Sequence, residues 1–244
     1  MKNNEPKPKN KICIGPMIIR VKEEDMPYIF FTSDWHIQHK NILNFTQRGI
    51  KYKDVDDMFN GIMFNMNVIY DSIPDEHKHQ AMLFHCGDLL FGSRSKCQEF
   101  YKEIQDNIEW PKVYCVMGNH DVNNIMRQHE VIPAYNPAWD RTECNPNWMW
   151  NNMFIVEVYR ESKCIATVSV SHFPMEEYHG SLNIHGHLHT RPEQYVKEDF
   201  SYLNMKRWAE AEYHYDAGVD NNDYMPISLY EIMQKLNLLN NKEV

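Results

Sequence analysis

Five times along the chain a short apolar run stops at a small or polar residue and passes into a turn that carries charge or histidine. The runs are "YIFFTSDWH" (28–36), "AMLFHCGD" (81–88), "KVYCVMGNHD" (112–121), "CIATVSVSHFP" (164–174) and "LNIHGHLH" (182–189). Apolar, partly β-branched runs of this length predict buried strands. Between the first two, Val55, Met58, Phe59, Ile62, Met63, Met66, Ile69 and Tyr70 recur at helical spacing, with Asp54 placed to cap the start and Pro74 beyond the end. That pattern predicts an amphipathic helix whose Met-rich stripe is core. "SKCQEFYKEIQDNIEW" predicts a second helix before the third strand, and strand, helix, strand, helix, strand favours a mainly parallel sheet. Further on, "MFIVEVYR" and "KCIATVSVSH" meet through "ESK" as in an antiparallel hairpin, and "SLYEIMQKLNLL" opens on a Ser228/Glu231 capping box. Ile18–Val21 can add a strand. Residues 1–10, "MKNNEPKPKN", are expected to be a mobile tail, and 11–244 a single domain.

Composition narrows what such a domain could do. With 244 residues, 43% of them hydrophobic, the chain can bury a full core. Its net charge of −9 argues against a stable complex with nucleic acid, which needs clustered Lys and Arg to neutralise phosphates. Small phosphorylated partners are not excluded, because bound metal ions bring positive charge that a residue count omits. The six cysteines lack a C-x-x-C pair, and neither a secretory signal pattern nor an 18-residue apolar run is present. A cytoplasmic protein with reduced thiols and no membrane contact is the expectation; the oligomeric state is not legible.

In sheets covered by helices, function collects in the loops after the carboxyl ends of strands. All five predicted strand ends carry metal-ligand side chains: Asp34 and His36, then Asp88, then Asn119 and His120, then His172, then His187 and His189. Gly87, Gly118 and Gly186 each immediately precede one of them. Imidazole and carboxylate without thiolate suit a divalent first-row ion and disfavour a structural zinc site. Seven side chains, Asp34, His36, Asp88, Asn119, His172, His187 and His189, are too many for one ion and fit two that share a carboxylate. A lone histidine or aspartate in any of these places would ordinarily be a cap or a packed residue; the ordered set is what makes the metal reading outweigh that.

The ordered motifs "SDWH", "CGD", "MGNHD", "SHFP" and "GHLH" resemble the calcineurin-like metallophosphoesterase superfamily, over roughly residues 28–230. "SDWHIQHKNILNF" and "DAGVDNNDYMPISLYEI" are similar to its small single-domain bacterial and phage members. The resemblance implies an α/β fold, a four-layer αββα sandwich of two mixed β-sheets flanked by helices, with a dimetal site at the strand C-terminal edge. It also implies that Asp34, His36 and His189 hold one ion, Asn119, His172 and His187 the other, and Asp88 bridges them. His120 would be catalytic without being a ligand, with Asp121 orienting its ring. The implied activity is hydrolysis of a phosphomonoester or phosphodiester, of a small or nucleotide-type substrate, by in-line attack of a metal-bridging hydroxide. Manganese, iron, zinc or nickel could serve, with manganese the expected ion. A nuclease or protein phosphatase of the same superfamily, or a catalytically silent metal-binding module, are the alternatives. For substrate contact, His39 and Asn41 in "HIQHKN" and the phosphate-clamp candidates Arg48 and Arg94 are named, although a solvated surface arginine is the ordinary reading of either. Trp35 is expected to be core. Trp148 and Trp150, in the irregular stretch "ECNPNWMWNN", are left open, and His185 has no role in the pattern.

Overall fold

The computed structural model describes residues 16–121, 147–178, 180–190 and 213–239. Among these residues ten strands make two five-stranded mixed sheets. The first runs β10 (Ile227–Ser228), β2 (Ile29–Thr32), β3 (Met82–His85), β4 (Val113–Val116) and β5 (Trp148–Asn151), all parallel except β10. The second runs β1 (Met17–Lys22), β6 (Phe154–Arg160), β7 (Lys163–Val170), β8 (Leu182–His185) and β9 (His214–Asp216), parallel except for the β6–β7 hairpin. The helices longer than six residues among those described are α1 (Val55–Asp71), α2 (Arg94–Asn107) and α3 (Leu229–Lys235).

Side-chain alternation decides the layering. In β2, β3 and β4 the residues Phe31, Phe84 and Tyr114 face the second sheet, where their rings stack in sequence beside Phe154, Val156, Val168 and Ile184. Their neighbours Phe30, Leu83 and Val113 face the other way, onto the α1 stripe of Met58, Ile62 and Met66 and onto Tyr101 and Ile104 of α2. Two mixed sheets flanked by helices are therefore present, as the family resemblance implies and beyond what the strand pattern alone gave. Asp54 caps α1 by accepting from the backbone N–H groups of Asp56 and Asp57 at 3.1 and 2.8 Å, worth about 1 kcal/mol. The Ser228 and Glu231 capping box opens α3.

Three strands went unread in the sequence. "WMW" is β5, with Trp148 and Trp150 buried against Tyr101, so the stretch left open is a core strand. The others, β9 and β10, are two or three residues long and too short to carry periodicity. Cys86, Cys97, Cys115 and Cys164 are free thiols, and burial pushes the Cys86 and Cys115 thiols well above their usual range, which leaves them inert. Cys13, Cys144 and the tail at 1–10 lie outside the described residues. No helix among the described residues is long and apolar enough to cross a membrane.

Candidate metal centre

Five loops leave the carboxyl ends of β2, β3, β4, β7 and β8 on one edge of the two sheets, and they carry all seven side chains singled out in the sequence. Asp34, His36, His189 form one group of donor atoms, and Asp88, His172, His187 another, each with its atoms within 4.8 Å of one another. A third such group, His36, Asp88 and His120, overlaps both. Asp34, His36, Asp88 and His172 are almost wholly buried, with exposures of 0, 2, 2 and 3%.

The donor atoms converge in a way that suits a cation. His172 Nδ1 stands 2.9 Å from the Cys86 carbonyl, to which it must donate, so its Nε2 carries a lone pair. That Nε2 stands 2.9 Å from Asn119 Oδ1. His189 Nδ1, 2.8 Å from Asp220 Oδ2, likewise holds the proton, and its Nε2 lies 3.2 Å from His36 Nε2. Two ligands about 2.1 Å from one ion and at right angles stand about 3.0 Å apart, so these pairs have the spacing of a coordination edge. Asp88 Oδ2 lies 3.6 Å from His36 Nε2 and 3.5 Å from His172 Nε2, between the two sets, where a shared carboxylate would sit. The residues present therefore fit two divalent ions.

The backbone at this edge is unusual. Asp34, His36, Asp88, His187 and His189 all have positive φ, between 49 and 72°. Side-chain-bearing residues occupy that region at a cost of about 1–2 kcal/mol each, and such strain gathers where a loop must aim a functional group. Close approach is enforced as well. A Cβ on Gly118 would collide with the Asp88 carboxylate, and one on Gly87, at φ 104°, would stand 2.5 Å from His172 Nδ1. Backbone N–H groups finish the cradle: His187 donates to both oxygens of Asp34 at 3.1 and 2.9 Å, and His120 donates to Asp88 Oδ1 at 2.8 Å.

Electrostatics favour a cation too. Burial raises the Asp34 carboxyl to about 6, against the pull of His189 and His172. Burial and the neighbouring His189 hold His36 well below its usual range, and burial brings His187 down to about 4. For His189 burial acts downward, but Asp34 and Asp220 overcome it and raise the ring. A carboxylate made uneasy by burial, beside the His36 and His187 imidazoles that resist protons, is a set that a divalent ion would relieve.

The chain belongs to the calcineurin-like phosphoesterase family. The family model, described as calcineurin-like phosphoesterase, matches residues 27–223, most of the chain. AQ665, a protein of unknown function from Aquifex aeolicus, is similar in fold, with 22% identity, a TM-score of 0.51, and coverage of 85% of this chain and 98% of that one. A nuclease from Pseudomonas putida, described as nuclease MPE, matches over 67% of this chain and 62% of its own, at 15% identity and a TM-score of 0.34. No curated protein matches.

The remaining candidates divide. His120 is half-buried, with Nε2 3.9 Å from Asp88 Oδ2 and its ring against those of His36 and Phe91. Asn119 and His120 open a single helical turn, so their side chains diverge, Asn119 toward His172. His39 is half-buried, 5.7 Å ring to ring from His120 and 4.2 Å from Phe91. Asn41 is exposed at the head of the turn Ile42–Phe45. Arg94 begins α2, and its side chain lies outside the description.

Two expectations are corrected. Arg48 is no phosphate clamp: it is wholly buried in a bidentate pair with Asp220, at 3.0 and 2.7 Å, and also donates to the carbonyls of Trp35 and Asp34. Asp121 does not orient His120. Its carboxylate accepts from the backbone N–H groups of Asp88 at 2.7 Å, Gly118 at 2.9 Å and Leu89 at 2.9 Å, tying the "GD" loop to the "GNHD" loop. Asp220 was missed altogether. Its only signal was its place in "DAGVDNND", which shows neither Arg48 nor His189 as a neighbour. His185 is buried in β8, with Nδ1 3.0 Å from the Gly186 carbonyl and Nε2 buried without a hydrogen-bond partner among the described residues.

Proposed function

We propose that the chain hydrolyses phosphomonoesters or phosphodiesters of small, ring-bearing molecules such as nucleotides, at a centre of two divalent ions, with manganese the favoured metal. The observation that carries the reading is the position of Asp88 Oδ2, nearly equidistant from His36 Nε2 and His172 Nε2 in two otherwise separate donor sets. Ions held there would supply Lewis acidity, making water more acidic and offsetting the charge that builds on phosphoryl oxygens.

The chain's own residues account for the rest. Asp34, His36 and His189 hold one side of the centre, Asn119, His172 and His187 the other, and Asp88 joins them. His120 stands at the rim with part of its ring open to solvent, where it can donate a proton to a departing oxygen or a hydrogen bond to the phosphoryl group. Its backbone N–H holds the Asp88 carboxylate, so the loop that presents the acid also braces the shared ligand.

An aromatic rim supports the choice of substrate. From the buried His36 a run of rings leads outward to His39, which meets both Phe91 and Phe45, the latter 74% exposed, and Phe173, 50% exposed, packs on His187 across the centre. Exposed phenylalanines flanking a polar site suit an alcohol group with a flat ring that can stack. The acidic net charge favours small substrates over polynucleotides. Replacing the bridging carboxylate tests the whole reading. Asp88→Asn should abolish manganese-dependent hydrolysis of bis(4-nitrophenyl) phosphate and 4-nitrophenyl phosphate, and undiminished turnover with manganese in excess would overturn it.

A further inference from the structure

We propose that Asp220, clamped by Arg48, is the positioning residue that makes His189 a metal ligand, and that the first ion's site depends on it while the second does not. The inference rests on the two-ion reading above and assigns a role to two residues that lie outside the ligand set.

The geometry is specific. Asp220 Oδ2 accepts from both His189 Nδ1 at 2.8 Å and Arg48 Nη2 at 2.7 Å, and its Oδ1 accepts from Arg48 Nε at 3.0 Å. Both side chains of the ion pair have no exposure to solvent. A proton fixed on Nδ1 leaves the lone pair on Nε2, the atom that faces His36. The guanidinium also donates to the carbonyls of Trp35 at 3.0 Å and Asp34 at 2.7 Å, inside the strained turn that presents Asp34. One buried cation thus braces two of the first ion's three terminal ligands, one through its carboxylate partner and one through the backbone.

The second ion is served differently. His172 has its tautomer set by the backbone carbonyl of Cys86, and His187 and Asn119 follow the turns after β8 and β4, whereas the described bonds of Asp220 run to His189 and Arg48. The loop around Asp220 does not need the carboxylate to keep its shape either. Val219 N–H donates to the Ser33 carbonyl, and the Asn221 and Asn222 side chains donate to the carbonyls of Asp216 and Gly218.

Asp220→Asn weakens the relay whichever way the amide turns. If its NH2 takes the Oδ1 place it meets Arg48 Nε, donor against donor, and the clamp loosens although the amide oxygen still accepts from His189 Nδ1 and Arg48 Nη2. If the NH2 faces His189, the ring must accept on Nδ1 and protonate Nε2, which then cannot bind an ion. The test is a calorimetric titration of chelator-stripped full-length protein with Mn²⁺. Wild type should bind two ions per chain. In Asp220→Asn one site should weaken by about 10–100-fold, the usual effect of losing such a partner, while the other stays within about 3-fold. Two ions bound to the variant with wild-type affinities, or equal weakening of both sites, would overturn the proposal and leave the two-ion centre standing. Fewer than two ions on the wild type would overturn the centre itself. The imidazole ¹⁵N shifts of metal-free wild type, with His189 assigned through His189→Gln, give a second reading that needs no folded Asp220 variant. In the neutral ring, read at a pH high enough to remove the second proton, a proton on His189 Nδ1 supports the relay, and one on Nε2 refutes it.

Discussion

Asp121→Asn separates two accounts of a residue placed directly after the candidate catalytic histidine. In the structure its carboxylate is a clamp with no exposure, Oδ2 receiving Asp88 N–H and Gly118 N–H and Oδ1 receiving Leu89 N–H. Burial and the neighbouring Asp88 push the carboxyl up; the Gly118 and Leu89 N–H groups hold it down. The three converging N–H donors favour the ionised form of the clamp. An asparagine can accept with one atom only, and its NH2 then faces a buried N–H. That leaves one donor unsatisfied, at about 1–3 kcal/mol, and weakens the other two bonds by about 0.5–1 kcal/mol each as they lose charge assistance. The total is about 3 kcal/mol. With a urea slope of about 2–3 kcal/mol per molar, the unfolding midpoint of the metal-free protein should fall by about 1 M or more. Turnover at saturating metal should change less than in a His120 variant. An unchanged midpoint together with a large fall in kcat would refute the clamp and restore Asp121 as the residue that orients His120.

Other outcomes follow from the same geometry. His120→Asn should lower turnover by about 10²–10⁴-fold while two ions remain bound, and the loss should be smaller for a nitrophenyl ester than for an alkyl or ribose ester if the ring protonates the leaving oxygen; equal losses would make it an electrostatic clamp. Phe45→Ala should raise KM several-fold for nucleoside or aryl esters and leave glycerol phosphate unaffected, measured by steady-state kinetics. His85 is wholly buried, and burial lowers its ring to about 3, so the folded protein refuses a proton that the unfolded chain takes up. The stability His85 provides is complete above about pH 6.5 and is lost as pH falls toward 3, by about 2 kcal/mol at pH 5, so His85→Gln should flatten the dependence of the urea midpoint between pH 7 and 5.

What the sequence disclosed follows from range. The five strand ends were readable because each ligand sits within a few residues of the apolar run that ends beside it, and the Met58–Met66 stripe because a helix repeats. β5 was overlooked because "WMW" stands alone among prolines and asparagines, and its alternation covers only one and a half periods. The reassignments concern charge partners far apart in the chain. Nothing near Arg48 announces Asp220, 172 residues away, so an interior ion pair read as a surface arginine. Asp121 was misassigned because adjacency to His120 suggested a shared task, whereas the short helical turn 119–121 sends its carboxylate back under Asp88. The positive φ at five ligand positions had no sequence signal beyond the glycines that precede two of them, Asp88 and His187.

The central claim is that two donor sets share Asp88 and act together. Manganese titrated into chelator-stripped protein, with bound metal and hydrolysis of bis(4-nitrophenyl) phosphate followed on the same samples, tests it most directly. Two ions per chain are predicted, with activity rising as the second site fills and both lost in Asp88→Asn. A single bound ion at full activity, or hydrolysis that survives complete removal of metal, would contradict the account.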